Sequence, residues 1–390
     1  MGDSASGLWA SVIAVWNPLL GRPAMFVQHT LPFGAAASVL HFNRLARLLW
    51  ECLVKMLRAL VLNFYDDFPT IEPEATAQNA RVSMELMLKL LGWQYSDNPM
   101  KDLSFAEEFC SLGVIFDLSR TEEQLAFVYN KPSRIESVKT ILLELARMKK
   151  TTSTERASVK GKLTFMERHV FGRVGKLLTS MLFRVDGSVK TSISREDQIL
   201  MQDIIKWMTE AKPRRIRPLD NRSPVFIFTD GAEGDVPETL ASCGALMIDP
   251  EDGCREYFGE GIPDELVTEW KSSGNTKVIA QAELLPVGLA KCLWAERLKD
   301  RRVFFFVDNE GAKHQCINFK ADSIHSHRIL CYIAKLEMTM QTWSWFCRVA
   351  SHSNPADPAS RLDHETMTRV YGAKRVAPIM PRTMKELASL

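Results

Sequence analysis

Four acidic residues in the second half of this 390-residue chain stand where an acid can do chemistry. Asp230 ends the β-branched and aromatic run that starts at Pro224, and Asp308 ends a similar run from Arg302. Glu283 follows Ala280, Gln281 and Ala282 at the head of an apolar segment with helical spacing, and Asp357 lies between Asn354 and Arg361. Carboxylates brought together repel one another, and some must take up protons unless a cation neutralises them. Two divalent ions about 4 Å apart relieve that repulsion, activate a water and stabilise the leaving oxygen of a phosphodiester. Oxygen ligands without a histidine or cysteine cluster favour Mg2+ or Mn2+ over zinc. A lone strand-end aspartate is more often a turn former or helix cap, so the joint pattern carries the reading.

The elements that must position these acids follow from the spacing. Val225–Thr229 reads as a buried strand delivering Asp230 at its end. Cys243–Asp249 and Cys254–Gly259 are two short strand-like runs around the turn Pro250-Glu-Asp-Gly253, so the three strands suggest an antiparallel meander. The segment from Ala280 to Ala295 has helical apolar spacing, with Pro286 in its first turns, where proline is tolerable. Strand, helix, strand suggests a right-handed crossover with parallel, adjacent strands. Asp230 and Asp308 then emerge at one sheet edge, with Glu283 on the helix packed over it. Trp343–Ala350 supplies a further strand before Asp357.

Strand–Asp-Gly, meander, Ala-Glu helix, strand–Asp-Asn, strand and Asn-x-Ala-Asp-x-x-Ser-Arg together resemble the RNase H domain of reverse transcriptases, most closely those of gypsy- and DIRS-type retroelements. The resemblance implies an RNase H-like domain over residues 221–365, a mixed five-stranded sheet with flanking helices, followed by a tail over 366–390. It also implies that Asp230, Glu283, Asp308 and Asp357 hold two Mg2+ or Mn2+ ions and cleave the RNA strand of an RNA–DNA hybrid. His352 stands near a histidine that the family often uses in proton transfer or product release; a loop histidine bonding backbone is the alternative. Arg361 is either a phosphate contact or a salt-bridge partner.

Upstream, Val61 to Phe68 is an apolar run, the acid pair Asp66-Asp67, and another apolar residue, which suits a β-hairpin presenting two carboxylates at its tip. Before it, Leu31-Pro32-Phe33-Gly34 leads into a long amphipathic helix. These two motifs resemble the polymerase palm of reverse transcriptases. The resemblance implies a nucleotide pocket formed by Pro32, Phe33 and Gly34, with Asp66 and Asp67 supporting metal-bound nucleotide addition and Asp66 as a metal ligand. Phe64 stands where the family usually has tyrosine. Ser111–Asp117 resembles the primer-gripping strand, and the stretch through Lys160, Lys162 and Phe171-Gly-Arg173 resembles the thumb and connection. The expected architecture is therefore α/β and α+β: a partial right-hand palm over 1–100, a basic helical thumb and connection over 101–220, then the RNase H-like domain. A palm needs another aspartate on a strand before the Leu-Pro-Phe-Gly motif. Residues 1–27 hold one acid, Asp3, in no strand-like run, so fingers and first catalytic aspartate are read as absent and polymerase activity as lost.

Composition sets the frame. An apolar fraction of 46% and a charged fraction of 25% are those of an ordinary globular chain. The net charge of +2 says nothing about nucleic acid. Its distribution says more: from Lys131 to Arg195 basic residues outnumber acidic ones by about three to one, a footprint for phosphate backbones. Lys160, Lys162, Arg173 and Arg361 are the candidate contacts. Eight scattered cysteines without a CxxC pair argue against a zinc module or disulfide framework and for a reduced intracellular compartment. The apolar stretch Leu49–Phe64 is broken by Glu51, Lys55 and Arg58, so no membrane span is expected, and Leu8–Trp16 lacks the basic flank of a signal peptide. The leading function is a hybrid-cleaving nuclease attached to a polymerase remnant. The alternatives are a non-catalytic nucleic-acid-binding remnant and a copy that does not fold stably.

Overall fold

In the computed structural model, residues 12–27, 34, 36–95, 104–148, 150–170, 193, 195–234, 236, 239–272, 277–321 and 323–389 are described. The chain divides into two compact units, Met1–Leu112 and Gly113–Leu390.

In the first unit, β1 (Val12–Asn17) and β2 (Arg22–Val27) form an antiparallel hairpin. The amphipathic helix expected after Gly34 is α1 (Ala36–Leu57); α2 (Glu74–Leu90) follows. Between them, Leu53, Ala59 and Val61 make a small core, and paired backbone bonds of Phe64 and Asp67 (2.9 and 3.0 Å) close the hairpin with Tyr65 and Asp66 at its turn. Both Asp66 and Asp67 are exposed there, as the sequence pattern requires.

The second unit opens with β3 (Val114–Asp117), β4 (Ala126–Asn130) and β5 (Arg214–Ile216), paired antiparallel. Helices α3 (Pro132–Arg147), α4 (Ser153–Val170) and α5 (Arg195–Glu210) bury one stripe each, Val138 and Leu142 against Leu163, Met166 and Ile204. This helical part packs on the sheet that follows it. Trp207 of α5 packs on both this core and the next, and Gln341 accepts from the Arg215 N–H (2.8 Å) and donates to the Pro213 carbonyl (2.9 Å).

The main sheet comprises β6 (Val225–Glu233), β7 (Ala241–Asp249), β8 (Cys254–Gly261), β9 (Arg302–Val307), β10 (Trp343–Arg348) and β11 (Lys374–Arg375), in the order β10-β9-β6-β7-β8-β11. β6, β7 and β8 are the expected antiparallel meander, and β9 pairs parallel to both β6 and β10. Five strands match the expected mixed sheet. The sixth, β11, comes from the segment read as a tail. That segment packs because Met384 and Leu387 of α12 (Met384–Ser389) are buried in the same core, where the Trp270 indole donates to the Met384 sulfur (3.2 Å).

One face of the sheet carries α7 (Ile279–Leu293), α9 (Ile324–Met340) and the shorter α6 (Asp264–Lys271) and α8 (Glu310–Asn318). Every residue of α7 from Gln281 to Lys291 is buried, so this is a central helix rather than an amphipathic one. Pro286 sits at its eighth position, deeper than the first turn, and leaves the Ala282 carbonyl without the N–H of residue 286. Lys291 is fully buried, 3.1 Å from Glu337 and 4.7 Å from the centre of the Phe305 ring. The opposite face carries α10 (Asp357–Ser360) and α11 (His364–Arg369), with Ala359 and Met367 packed on Leu246 and Tyr257. None of the described helices is long and apolar enough to cross a membrane.

Candidate active site

The register of the parallel pair builds the site. Val307 lies opposite Thr229, so the next residues, Asp308 and Asp230, stand side by side: Asp308 just past the end of β9, Asp230 inside β6, which stays paired with β7 to Glu233. Asn309 then caps α8 by accepting from the Ala312 N–H (3.0 Å), which ends the strand directly behind Asp308. Glu283 comes from the other direction, on α7. A β-carbon at Gly231 would lie 2.5 Å from the Ala282 carbonyl carbon, so only glycine lets the helix backbone touch the strand here. The Gly231 N–H also donates to the Glu283 carboxylate. Gly231→Ala is expected to force helix and strand apart and cost about 1–3 kcal/mol, the usual penalty for overpacking, as read by chemical denaturation.

Asp230, Glu283 and Asp308 each offer an oxygen within 4.8 Å of the others. Asp230 and Glu283 are 5% and 4% exposed. Burial pushes the Asp230 carboxyl up to about 7, against the hydrogen bond from Ser360 and with help from Asp308 and Asp357. Burial, then Asp308 and Asp230, push Glu283 up to about 9. Glu283 Oε2 and Asp308 Oδ1 are buried without a hydrogen-bond partner. Orphaned carboxylate oxygens this close together are costly in a neutral cleft and are the donor set a hard divalent cation requires. The residues therefore fit a hard divalent cation.

Asp357 stands apart from this trio. It is half-buried at the start of α10, and its Oδ1 pairs with Arg361 Nε at 2.9 Å, one helical turn on. Of the two roles read for Arg361, the structure shows the ion pair; both side chains are partly exposed, so it contributes no more than about 1 kcal/mol. His352 is exposed on the short turn Ser351–Ser353.

Asn354 and Ser360 belong to the motif around Asp357 but carry no role in the sequence reading, yet both contact Asp230. The Asn354 side-chain amide donates to the Thr229 carbonyl (3.1 Å) and, at 3.4 Å, to Asp230 Oδ1. The Ser360 hydroxyl donates to Asp230 Oδ2. Their spacing of three residues on either side of Asp357 was the available signal.

Lys160 and Lys162 are exposed on α4. Arg173, Pro32 and Phe33 lie outside the described residues, and Gly34 is an exposed turn residue with φ +88°. Among the described residues, the trio Asp230, Glu283 and Asp308 is the group of three or more that could hold a metal, and Asp66 and Asp67 are not part of one.

No protein-family model matches the chain, and no curated protein matches it by sequence. Among solved structures it is similar to RNase H1 from the halophilic archaeon Halobacterium salinarum NRC-1, at 19% identity over 36% of this chain and 99% of that one, with a TM-score of 0.27. It is also similar to the foamy viral protease-reverse transcriptase in complex with dsDNA, at 13% identity over 90% of this chain, with a TM-score of 0.41. The same viral protein in complex with RNA/DNA hybrid matches at 10% identity over 94% of this chain, with a TM-score of 0.38. The chain spans 65% of the length of each foamy viral chain.

Proposed function

We propose that the second unit is an RNase H-type endonuclease that hydrolyses the RNA strand of RNA–DNA hybrids with two Mg2+ or Mn2+ ions, in a polypeptide derived from a retroelement reverse transcriptase. One observation carries this reading: three carboxylates from two parallel strands and the crossover helix converge, with buried oxygens left without partners. Asp230, Glu283 and Asp308 would hold one ion, and Asp357, once released from Arg361, would join Asp230 around a second. Bound metal supplies water activation and charge neutralisation at the scissile phosphate. The chain's own part is to fix the carboxylates on rigid elements. It also presents basic groups, the exposed Lys160 and Lys162, to the phosphate backbone, largely irrespective of sequence.

The test is cleavage of a hybrid carrying labelled RNA, with Mg2+ or Mn2+ and with chelator. Cutting that needs the metal and spares single-stranded RNA supports the reading; a folded protein that never cuts overturns it. A second reading, a non-catalytic nucleic-acid-binding remnant, is favoured by the engagement of Asp357 with Arg361. It expects salt-sensitive hybrid binding that survives loss of Asp230. For the first unit, we propose that the chain on its own extends no primer, because Asp66 and Asp67 gather no third acid among the described residues. Mg2+-dependent primer extension by the purified chain would refute that.

A further inference from the structure

Asp230 is held from the face of the sheet opposite the helix that carries Glu283, by a group on α10. Gly244 of β7 pairs with Asp230 on one side and with Gly259 of β8 on the other. A β-carbon at Gly244 would lie 2.5 Å from the Ser360 N–H nitrogen, and one at Gly259 would collide with the Ala359 carbonyl oxygen. The two glycines thus form a floor on which α10 rests backbone to backbone. Its last residue, Ser360, is fully buried. The Ser360 N–H donates to the Ala356 carbonyl (3.0 Å), and its carbonyl accepts from the Ser242 hydroxyl (2.6 Å). The hydroxyl itself reaches two acceptors, Asp230 Oδ2 and, at 2.9 Å, the Asp357 carbonyl.

Resting on the metal-centre reading of the carboxylate trio, we propose that Ser360 is a positioning residue for Asp230. Its hydroxyl occupies one carboxylate oxygen and so aims the other at the space between Glu283 and Asp308. The same contact ties the strand that carries Asp230 to the helix that carries Asp357, and so sets the spacing of the two acids that a second ion needs. A packing role alone would be filled by alanine. Positioning requires the donor, because without it Asp230 keeps only the long Asn354 contact on Oδ1 (3.4 Å), and the carboxylate can rotate about its side-chain torsion.

Ser360→Ala in the full chain tests this, with Mn2+ as probe, followed by electron paramagnetic resonance. Partners of ligating groups typically change metal affinity or activity by about 10–100-fold. The expected result is Mn2+ binding weakened about tenfold, kcat reduced with KM for hybrid unchanged, and a rate that recovers as Mn2+ is raised. Ser242→Ala removes the donor to the Ser360 carbonyl and leaves the hydroxyl in place; it should lower the melting temperature in chelator without moving Mn2+ affinity. Equal Mn2+ affinity in wild type and Ser360→Ala would overturn the proposal. So would a parallel loss of affinity and melting temperature in both variants, which marks a structural role. Failure of the wild-type chain to bind Mn2+ would instead bring down the metal-centre reading, and this proposal with it.

Discussion

Replacing Asp230 with asparagine is expected to reduce Mg2+-dependent hybrid cleavage by about three orders of magnitude or more, while leaving the metal-free fold at least as stable at neutral pH. The size of the first effect follows from the site. Asp230 is the acid within reach of both its parallel-strand neighbour Asp308 and the helix acid Glu283, and electrostatic contacts to Asp357 also reach it. A neutral amide cannot supply its charge, and removing one preorganised electrostatic group from an active site commonly costs about 100–1,000-fold by itself. The second effect follows from burial. Asp230 is 5% exposed, and its charged form is opposed by desolvation more than it is favoured by the Ser360 hydroxyl. An isosteric amide removes the charge that burial penalises and can still bond Ser360. Loss of cleavage with a retained or raised melting temperature in chelator is the expected pair. Loss of both would show that Asp230 is needed for folding and leave its chemistry unsupported; unchanged cleavage would remove it from the site.

The order of the sheet was legible because its signals are local. Strand runs ending in Asp-Gly and Asp-Asn, and the Pro250–Gly253 turn, each occupy a few residues, and a parallel crossover has a fixed hand. The juxtaposition of Asp230 and Asp308 followed from the adjacency of the two parallel strands, although β6 continues to Glu233 where β9 stops at Val307. The elements after residue 365 were not legible, for the opposite reason. Lys374 and Arg375 are two polar residues that pair with Glu256 and Tyr257, too short and too exposed for a strand pattern, and Met384 and Leu387 are anchored by Trp270, more than a hundred residues away. The contacts of Gln341 and Trp207 between the helical part and the sheet domain were hidden likewise, because they span long sequence separations.

At the site, the acids were readable but their surroundings were not. Burial and orphaned oxygens are properties of packing, and no spacing rule gives them. The glycines were a missed signal. Gly231, Gly244 and Gly259 each interrupt a strand, and a glycine inside a strand marks a close backbone approach. At all three a β-carbon would collide with α7 or α10 backbone. Asn354 and Ser360 flank Asp357 at helical spacing, which hinted at a common face. The partner they share, Asp230, is more than a hundred residues distant and is revealed only by the fold. The pairing of Asp357 with Arg361 lay within reach as a contact four residues apart, and was one of the two roles read for that arginine.

Metal binding and pH should be linked in a direction set by the two buried acids. Asp230 rises from 3.8 to about 7 and Glu283 from 4.5 to about 9 on folding without metal. The folded state therefore holds these protons more tightly than the unfolded chain does. Their contribution to stability is fully present below about pH 4 and is lost as pH rises through 7 for Asp230 and 9 for Glu283. His325 and His364 are depressed by burial, so they weaken the fold on the acid side of their ordinary 6.5. The thiols of Cys243, Cys254 and Cys347 are raised by burial and add to the loss only near and above their ordinary value of 9.0. Between pH 7 and 8.5 the carboxylates dominate. In chelator, stability measured by urea denaturation should fall there by about 2 kcal/mol, on the scale of 1.36 kcal/mol for one proton over one pH unit. Saturating Mg2+ or Mn2+ binds the ionised acids and displaces those protons, so its stabilising increment must grow over the same range. Glu283→Gln should flatten most of the slope and leave the metal increment only the weaker pH dependence that Asp230 gives it near pH 7. A slope that is flat or upward in chelator would mean that both acids are already ionised in the folded protein, and that a charge within the second unit neutralises them without metal.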